Sequence, residues 1–519
     1  MSSVWNLYSK LASARWIWAA VAAAFSALCF AFEARIGFNL SDEGFLWYGA
    51  RQVVSGAVPV RDFQGYDIAR YYVTAGVMAM LRDDGILALR TCLGVVQAVG
   101  VALAVYLVHI NVPRLRLLYV VLTAAVFVCW IMVHPYKNFD VVACIGMLAG
   151  LAFALSQPSA FRWFVAGASI GIAAVLGCNH GVYGAAAGAG AVVYACWGLG
   201  RRKHWQAAAW LCIGVVIGYL PNVIMIAAIP GLARAYWAGI IGVFQSGTNL
   251  PLPIPWPWLA FTGSAWTADA WRGFVVGMFF LALPTFAAAG LISAFHLRSR
   301  VPRRQLATFV AAALLALPYA HYAYSRADIP HLSFGIFPLL IGLLVWPLAS
   351  SYGRFVTAGL LLAASVLVTG TFHPAYDAQR MADWRELSID GDMLKIAPAD
   401  ADTIELLGRL AERYACNGRS FFVTPYWPGA YAVLHRKAPV WEIYALFSKS
   451  SEFQQMEIER IKAADPGFAV IINRALDGKD QWRYVNTHPL IERFVRETFI
   501  PVQGAAEIYA QPGAEDKCK

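Results

Sequence analysis

The chain has 519 residues, of which 59% are hydrophobic, 14% aromatic and only 14% charged, and its mean hydropathy is +0.55. Soluble domains are about 45–50% apolar and about 25% charged, so this composition excludes a disordered chain, a fibrous repeat and an ordinary cytosolic enzyme, and points to a polytopic membrane protein. The net charge of +10 is uneven: residues 1–371 hold 23 Lys and Arg against 10 Asp and Glu, while residues 372–519 hold 18 against 21.

Residues 1–15 lack a signal-peptide cleavage pattern, so the first apolar run, 16–33, reads as an uncleaved anchor. A first outer loop follows, about 34–85. It carries Asp42 and Glu43 directly after the span, then Gly56-x-x-Pro59-x-x-Asp62-Phe63 with Arg61, then a Tyr-rich stretch from Tyr66 to Tyr72. Phe45, Tyr48, Ala50 and Val53 recur near helical spacing, which predicts a helix over 42–54 lying in the interface, with Trp47 and Tyr48 as anchors. An acidic pair at the membrane surface is placed to take a proton or to hold a divalent ion; the plainer reading is a helix N-cap at Ser41 or Asp42.

Further runs near the ~20 residues a bilayer needs lie at 86–110, 115–133, 140–156, 163–179, 182–199, 206–229, 271–295, 305–323, 332–349 and 355–371. That makes about eleven transmembrane helices. Between the third and fourth, Lys137 is a candidate phosphate contact or an interfacial anchor, and Asp140 a candidate acid or a cap. Asn179 and His180 interrupt a long apolar run, and polar groups at that depth face a cavity or bond to another helix. The glycines and alanines from 181 to 190 predict close helix packing. The Pro-rich segment 230–270, with Trp256 and Trp258, predicts an extended or interfacial lid. Arg326, Asp328 and His331 crowd one short loop, either as a polar connection or as a site.

Basic residues fall on alternate connections. One set holds Lys10, Arg15, Arg114, Arg116, Arg162, Arg201, Arg202, Lys203, Arg298, Arg300, Arg303, Arg304 and Arg354; the other short connections hold about one each. The positive-inside rule therefore predicts a cytoplasmic N-terminus and, with an odd number of spans, an outer tail. The surplus charge is accounted for by topology and gives nucleic acid no support. Asp42, Glu43, Lys137, Asp140, Arg326, Asp328 and His331 then all fall on the outer side.

The tail from 372 predicts a small extracytoplasmic α/β domain beyond a transmembrane core of 1–371. Ile404, Leu407, Leu410 and Tyr414 mark a helix stopped by Asn417 and Gly418. Strands are expected at 420–424, 468–473 and 507–511, with a capping box at Ser451 and Gln454 opening a helix to about 464, and another helix around 490–495. Seven of nine cysteines lie in apolar runs, no zinc spacing appears, and Cys416 and Cys518 can pair in an oxidising compartment.

An acidic pair after the first span, the amphipathic segment, the Gly-x-x-Pro-x-x-Asp-Phe stretch and Arg90 opening the second span resemble the membrane-embedded GT-C glycosyltransferases, which include protein O-mannosyltransferases and the lipid A aminoarabinose transferase. The family's Lys-Pro-Pro-Leu-type sequence is replaced by Tyr66-Asp-Ile-Ala-Arg70. The resemblance implies transfer of one sugar from a polyprenyl-phosphate carrier to a glycan, lipid or protein acceptor on the outer face of the plasma membrane. It implies Asp42 as general base, with Glu43 and Asp140 as further catalytic acids. Arg61, Asp62, Lys137, His180, Arg326 and Asp328 are then the substrate- and phosphate-binding candidates, and Glu43 and His331 the candidate ligands for a divalent metal ion. The competing classes are a transporter or flippase of a lipid-linked saccharide, for which paired broken helices are expected, and a glycan ligase or polymerase.

Overall fold

A computed structural model describes residues 16–112, 117–246, 250–262, 266–372 and 381–518. The basic residues Lys10, Arg15, Arg114 and Arg116 lie outside the described residues. Among the described residues each of the eleven apolar runs falls mainly on helix, since a chain in hydrocarbon must satisfy its backbone groups internally. Among the described residues, six helices are long and apolar enough to cross a membrane: Ile86–Asn111, Pro135–Ser156, Arg201–Ala228, Ala268–Leu297, Arg303–Ser325 and Ser351–Phe372. Ile17–Glu33, Leu117–Ile131 and Ala160–Leu176 are shorter apolar helices. The protein is mainly helical and of integral-membrane type. The run at 332–349 is not one helix but two short ones, Ile329–Gly335 and Phe337–Leu344.

The chain divides into two compact units. The first holds residues 1–33, 93–224 and 249–377. Its centre is the Arg303–Ser325 helix, which packs on Asn138–Ser156, Ala268–Leu297 and Phe337–Leu344. Small residues let helices approach closely, as expected between apolar helices that lack a hydrophobic driving force. A Cβ at Gly184 would run into Met147 and Ile170, and one at Gly188 into Leu211 and Ile170. The expected close packing over 181–190 is therefore what forms. The break near Asn179 falls at Gly177, which ends Ala160–Leu176, and Cys178–Cys196 begins at once.

The second unit holds residues 34–92, 225–248 and 378–519. Tail strands β1 (Arg385–Ile389) and β2 (Asp392–Ile396) form an antiparallel hairpin around Asp390 and Gly391, both with positive φ. Residues 35–37 dock along its edge, where Lys395 N–H donates to Arg35 O and Gly37 N–H to Lys395 O, each at 2.8 Å. A four-stranded sheet follows in the order β3 (Phe422–Thr424), β4 (Phe468–Ile471), β6 (Ile508–Ala510), β5 (Ile500–Pro501). The β3–β4 pair is parallel and the others antiparallel, so the expected partly parallel sheet is present. The predicted tail helices form as Pro398–Tyr414, Ser451–Ala464 and Pro489–Thr498. The cap of the second sits one residue earlier than predicted: Ser450 Oγ accepts from Phe453 N–H, while Gln454 bridges Lys449 O and Leu490 N–H.

Two other expectations change. The Leu232–Ser246 stretch of the segment read as an extended or interfacial lid is not extended but a helix, whose Leu232 joins Val58, Val60 and Ile68 in a small apolar cluster. The Asp42–Val54 helix forms as predicted but does not lie free in an interface. Trp47 is 0% exposed and Tyr48 2%; their polar tips meet Asp84 O at 2.8 Å and Ala438 N–H at 3.0 Å. Burial pushes the Tyr48 hydroxyl up to about 12. This helix packs on Ile68–Leu81 and on the short tail helix Gly429–Val433. A Cβ added at Gly429 would stand 2.8 Å from the Gly44 Cα, so the two backbones touch. Gly44→Ala is therefore expected to destabilise the unit by about 1–3 kcal/mol, as overpacking does. An unshifted melting midpoint in detergent would refute the contact.

Candidate active site

The Asp42–Val54 helix begins at a turn built by Asn39. Asn39 Oδ1 accepts the backbone N–H of Ser41 (2.8 Å) and of Asp42 (3.0 Å), and Asn39 O accepts Gly44 N–H (2.9 Å). Ser41 Oγ is spent elsewhere, donating to Tyr426 O at 2.6 Å. Neither Ser41 nor Asp42 caps the helix through its side chain. The cap reading of Asp42 thus fails, because Asn39 already satisfies the donors a cap would take. Asp42 stays in the first turn, where the helix macrodipole favours a negative charge.

Its neighbour is bound on all sides. Glu43 is 6% exposed; Arg90 Nε donates to its Oε1 at 2.8 Å and Arg90 Nη2 to its Oε2 at 3.0 Å. Asn39 N–H adds a third bond to Oε2 at 3.2 Å. The same guanidinium donates to Ala34 O and Gly37 O. Such a fork fixes geometry, and with Asn39 N–H it takes three of the roughly four lone-pair sites of the carboxylate. These bonds hold Glu43 in place, and a cation bound to it would face the Arg90 charge. Among the described residues no group of three or more His, Cys, Asp or Glu side chains is placed to hold a metal ion.

The other acids of the first loop are also engaged. Arg61 forks onto Asp62, with Nε and Nη2 each at 2.8 Å, and this holds the Asp62 carboxyl below its ordinary value. Asp62 also accepts Val58 N–H, closing a turn in which Val60 has φ of 71°. A positive φ is rare for a β-branched residue, so the pair is read as a clamp on a strained turn and not as a substrate contact. Asp67 pairs with Arg70, Asp84 with Arg51, and Asp83 accepts Gly85 N–H. Asp42 alone among the acids of 34–92 has no side-chain hydrogen bond or ion pair to a described residue. Sequence reasoning missed Arg51, which joins Asp84, Asp390, His435 and Ala432 O, and so ties the helix to the tail. An Arg between apolar residues of a half-buried helix is the signal that was available.

In the first unit, Asp140 and His180 come together. Asp140 is 3% exposed and His180 0%. His180 Nε2 lies 3.0 Å from Asp140 Oδ1 and its Nδ1 2.8 Å from the Tyr319 hydroxyl, while Tyr322 donates to Asp140 Oδ2 at 3.2 Å. The Asp140 carboxylate can only accept, so Nε2–H donates to it, and Nδ1 faces the Tyr319 hydroxyl. Both ring nitrogens are taken, so His180 makes the helix–helix hydrogen bond and has none left for a phosphate. Asp140 likewise is not a cap; it belongs to this buried network. Tyr319 and Tyr322 were not foreseen, because their helical spacing on an apolar run reads as packing.

Arg326, Asp328 and His331 also come together. Arg326 Nε donates to Asp328 Oδ2 at 2.7 Å, and Asp328 Oδ1 accepts the His331 backbone N–H (2.9 Å) and Nδ1 (2.7 Å). Burial raises the Asp328 carboxyl, and the bonds from His331 and Arg326 outweigh it, so the group sits below its ordinary value. Its contribution is present through the neutral range and is lost only as pH falls through that lowered value. Lys137 closes a short turn from His134 immediately before the Asn138–Ser156 helix.

No family model matches the chain, and no curated protein matches it. Among solved structures it is similar to ArnT from Cupriavidus metallidurans bound to undecaprenyl phosphate, with a TM-score of 0.49 and 13% identity over 96% of this chain and 98% of that one. It is similar to the same protein in the apo state, with a TM-score of 0.43 and 12% identity over 81% and 84%. The Archaeoglobus fulgidus oligosaccharyltransferase tethered to an acceptor peptide gives 0.41 and 12% over 88% and 69%. An aminoarabinose transferase and an oligosaccharyltransferase are GT-C membrane glycosyltransferases, the class that the sequence resembles. With TM-scores under 0.5, the likeness assigns no residue, substrate or activity.

Proposed function

We propose that the protein is a membrane glycosyltransferase that moves one sugar from a polyprenyl-phosphate-linked donor to an acceptor hydroxyl, with Asp42 as general base. The observation that carries this is Asp42 itself: its backbone N–H is held by Asn39 Oδ1 at the helix start, the residue is half-buried, and its carboxylate is spent on no described group. A hydroxyl is a weak nucleophile at neutral pH and needs a positioned base. In the step, Asp42 takes the acceptor proton as the acceptor oxygen bonds to the anomeric carbon. The bond from that carbon to the phosphate oxygen breaks, and its electron pair leaves with the polyprenyl phosphate. The leaving phosphate carries developing negative charge and calls for cationic stabilisation. Within residues 1–371 the apolar helices serve as the transmembrane core, and the tail 372–519, whose residues from 378 share a compact unit with 34–92 and 225–248, as an extracytoplasmic domain, with the N-terminus inside. No step is routed through a metal.

Two measurements test this. The purified protein, given a polyprenyl-phosphate sugar and a hydroxyl acceptor, should release polyprenyl phosphate in step with single-sugar transfer. Movement of the intact lipid-linked sugar across a vesicle without bond cleavage would overturn the reading in favour of a flippase. The outer placement of the tail is supported by the Cys416–Cys518 disulfide, which spans 102 residues, since disulfides persist in oxidising compartments. Cys416→Ser is expected to cost up to about 4–5 kcal/mol by the loop-entropy model. In cells, a membrane-impermeant thiol reagent should label Cys518 of that variant; protection equal to that of an inner-loop cysteine would place the tail inside.

A further inference from the structure

The second unit contains a cavity that the reaction above does not use. It lies where the start of the Asp42–Val54 helix is bonded to the tail. Ser41 Oγ donates to Tyr426 O at 2.6 Å, and Gly429 N–H donates to Leu40 O at 2.9 Å. Trp427 sits inside this bonded segment. Together with the turn at 38–41, the Pro398–Tyr414 helix and the sheet end near Ile508, it lines an open cleft of about 810 Å³. Small-molecule sites are about 300–1,000 Å³, so the space suits a ligand and is larger than a packing defect.

The lining is mixed. Leu406 and other apolar groups form one part, and Asp400, Glu507 and Arg474 supply charge. Glu507 Oε1 accepts Asn473 N–H at 3.1 Å. The Asp400 and Arg474 side chains and the Trp427 indole N–H have no hydrogen-bond or ion-pair partner among the described residues. Burial raises the Asp400 carboxyl above its ordinary value. A half-buried carboxyl at the wall of an open cleft offers its two acceptor oxygens to a ligand O–H or N–H donor. Two acids against one Arg disfavour an anionic ligand. A flat indole beside apolar side chains, with donors and acceptors around it, matches a pyranose ring, which has apolar C–H faces and a rim of hydroxyls.

We propose that this cavity is a saccharide subsite, holding a neutral or cationic sugar of the acceptor next to the turn that starts the Asp42 helix. The proposal rests on the reading of Asp42 as the base of a sugar transfer, and it names the acceptor class that the reading left open. The test is saturation-transfer NMR on the full-length protein in detergent, with methyl β-D-glucopyranoside, glucosamine and glucose 6-phosphate as probes. The first two should bind, and the phosphorylated sugar should bind about tenfold more weakly or not at all. Asp400→Asn and Trp427→Ala should each weaken binding about tenfold with the melting midpoint kept, the conservative Asp400→Asn guarding against loss of fold. Asp42→Asn should bind normally. No binding of any probe, unaltered binding in both variants, or preference for the phosphorylated sugar each overturns the subsite. Normal probe binding alongside full transfer by Asp42→Asn sinks the base assignment and leaves the subsite standing.

Discussion

Asp42→Asn is expected to lower kcat for sugar transfer by about 10²–10⁴-fold, the usual contribution of a general base, with little change in KM or in the melting midpoint. The stability half of this expectation follows from the bonds at the helix start. Asn39 Oδ1 and Asn39 O bind the first backbone N–H groups, and the Asp42 side chain takes part in neither interaction. Exchanging a carboxylate for an amide there removes no described contact. The rate half follows from proton transfer, since an amide cannot accept the hydroxyl proton. The split between kcat and KM separates a base from a substrate-binding group, which would raise KM. A fall in the melting midpoint matching the loss of rate would identify Asp42 as structural, and near-normal kcat would remove it from the chemistry.

The sequence made some of this legible for physical reasons and hid the rest for others. Apolar runs of bilayer length can hardly fold as anything but helix, so among the described residues each of the eleven falls mainly on helix. The run at 332–349 concealed its break, although Gly335 and Pro338 are the punctuation that marks one. The hairpin at 385–396 was signalled by Asp390 followed by Gly391 between alternating apolar residues, a strong turn pattern that went unread. Tyr71, Ala75 and Met78 lie at helical spacing, yet Ile68–Leu81 read as a Tyr-rich loop. The Ser451 cap falls one residue away, at Ser450, while Ser41 holds the N-cap position as expected but gives its hydroxyl to the tail carbonyl of Tyr426. The candidate acids were visible as residues; their engagement was not. What separates Asp42 from Glu43 is a guanidinium 47 positions away, and no local pattern carries that.

Arg90→Met is expected to be among the most destabilising single substitutions in the second unit, at about 3–5 kcal/mol. Removing one member of a buried ion pair leaves the other charged and without its partner. Here the loss is compounded, because Arg90 also satisfies Ala34 O at 2.9 Å and Gly37 O at 2.7 Å. Glu43→Gln should cost less, since the amide keeps one acceptor for the fork and for Asn39 N–H. Replacing both partners, as Glu43→Leu with Arg90→Met, should recover much of the stability, because neither desolvated charge remains, although the two carbonyls stay unpaired. That double variant also tests function. If Glu43 only holds the loop on which Asp42 stands, the double variant transfers sugar within about tenfold of the parent wherever it is folded. If Glu43 takes part in the chemistry or binds a metal ion, the double variant is folded and inactive. Thermal unfolding in detergent and single-turnover transfer on the same preparations distinguish the two, and a folded, inactive double variant would move the catalytic acid from Asp42 alone to the pair.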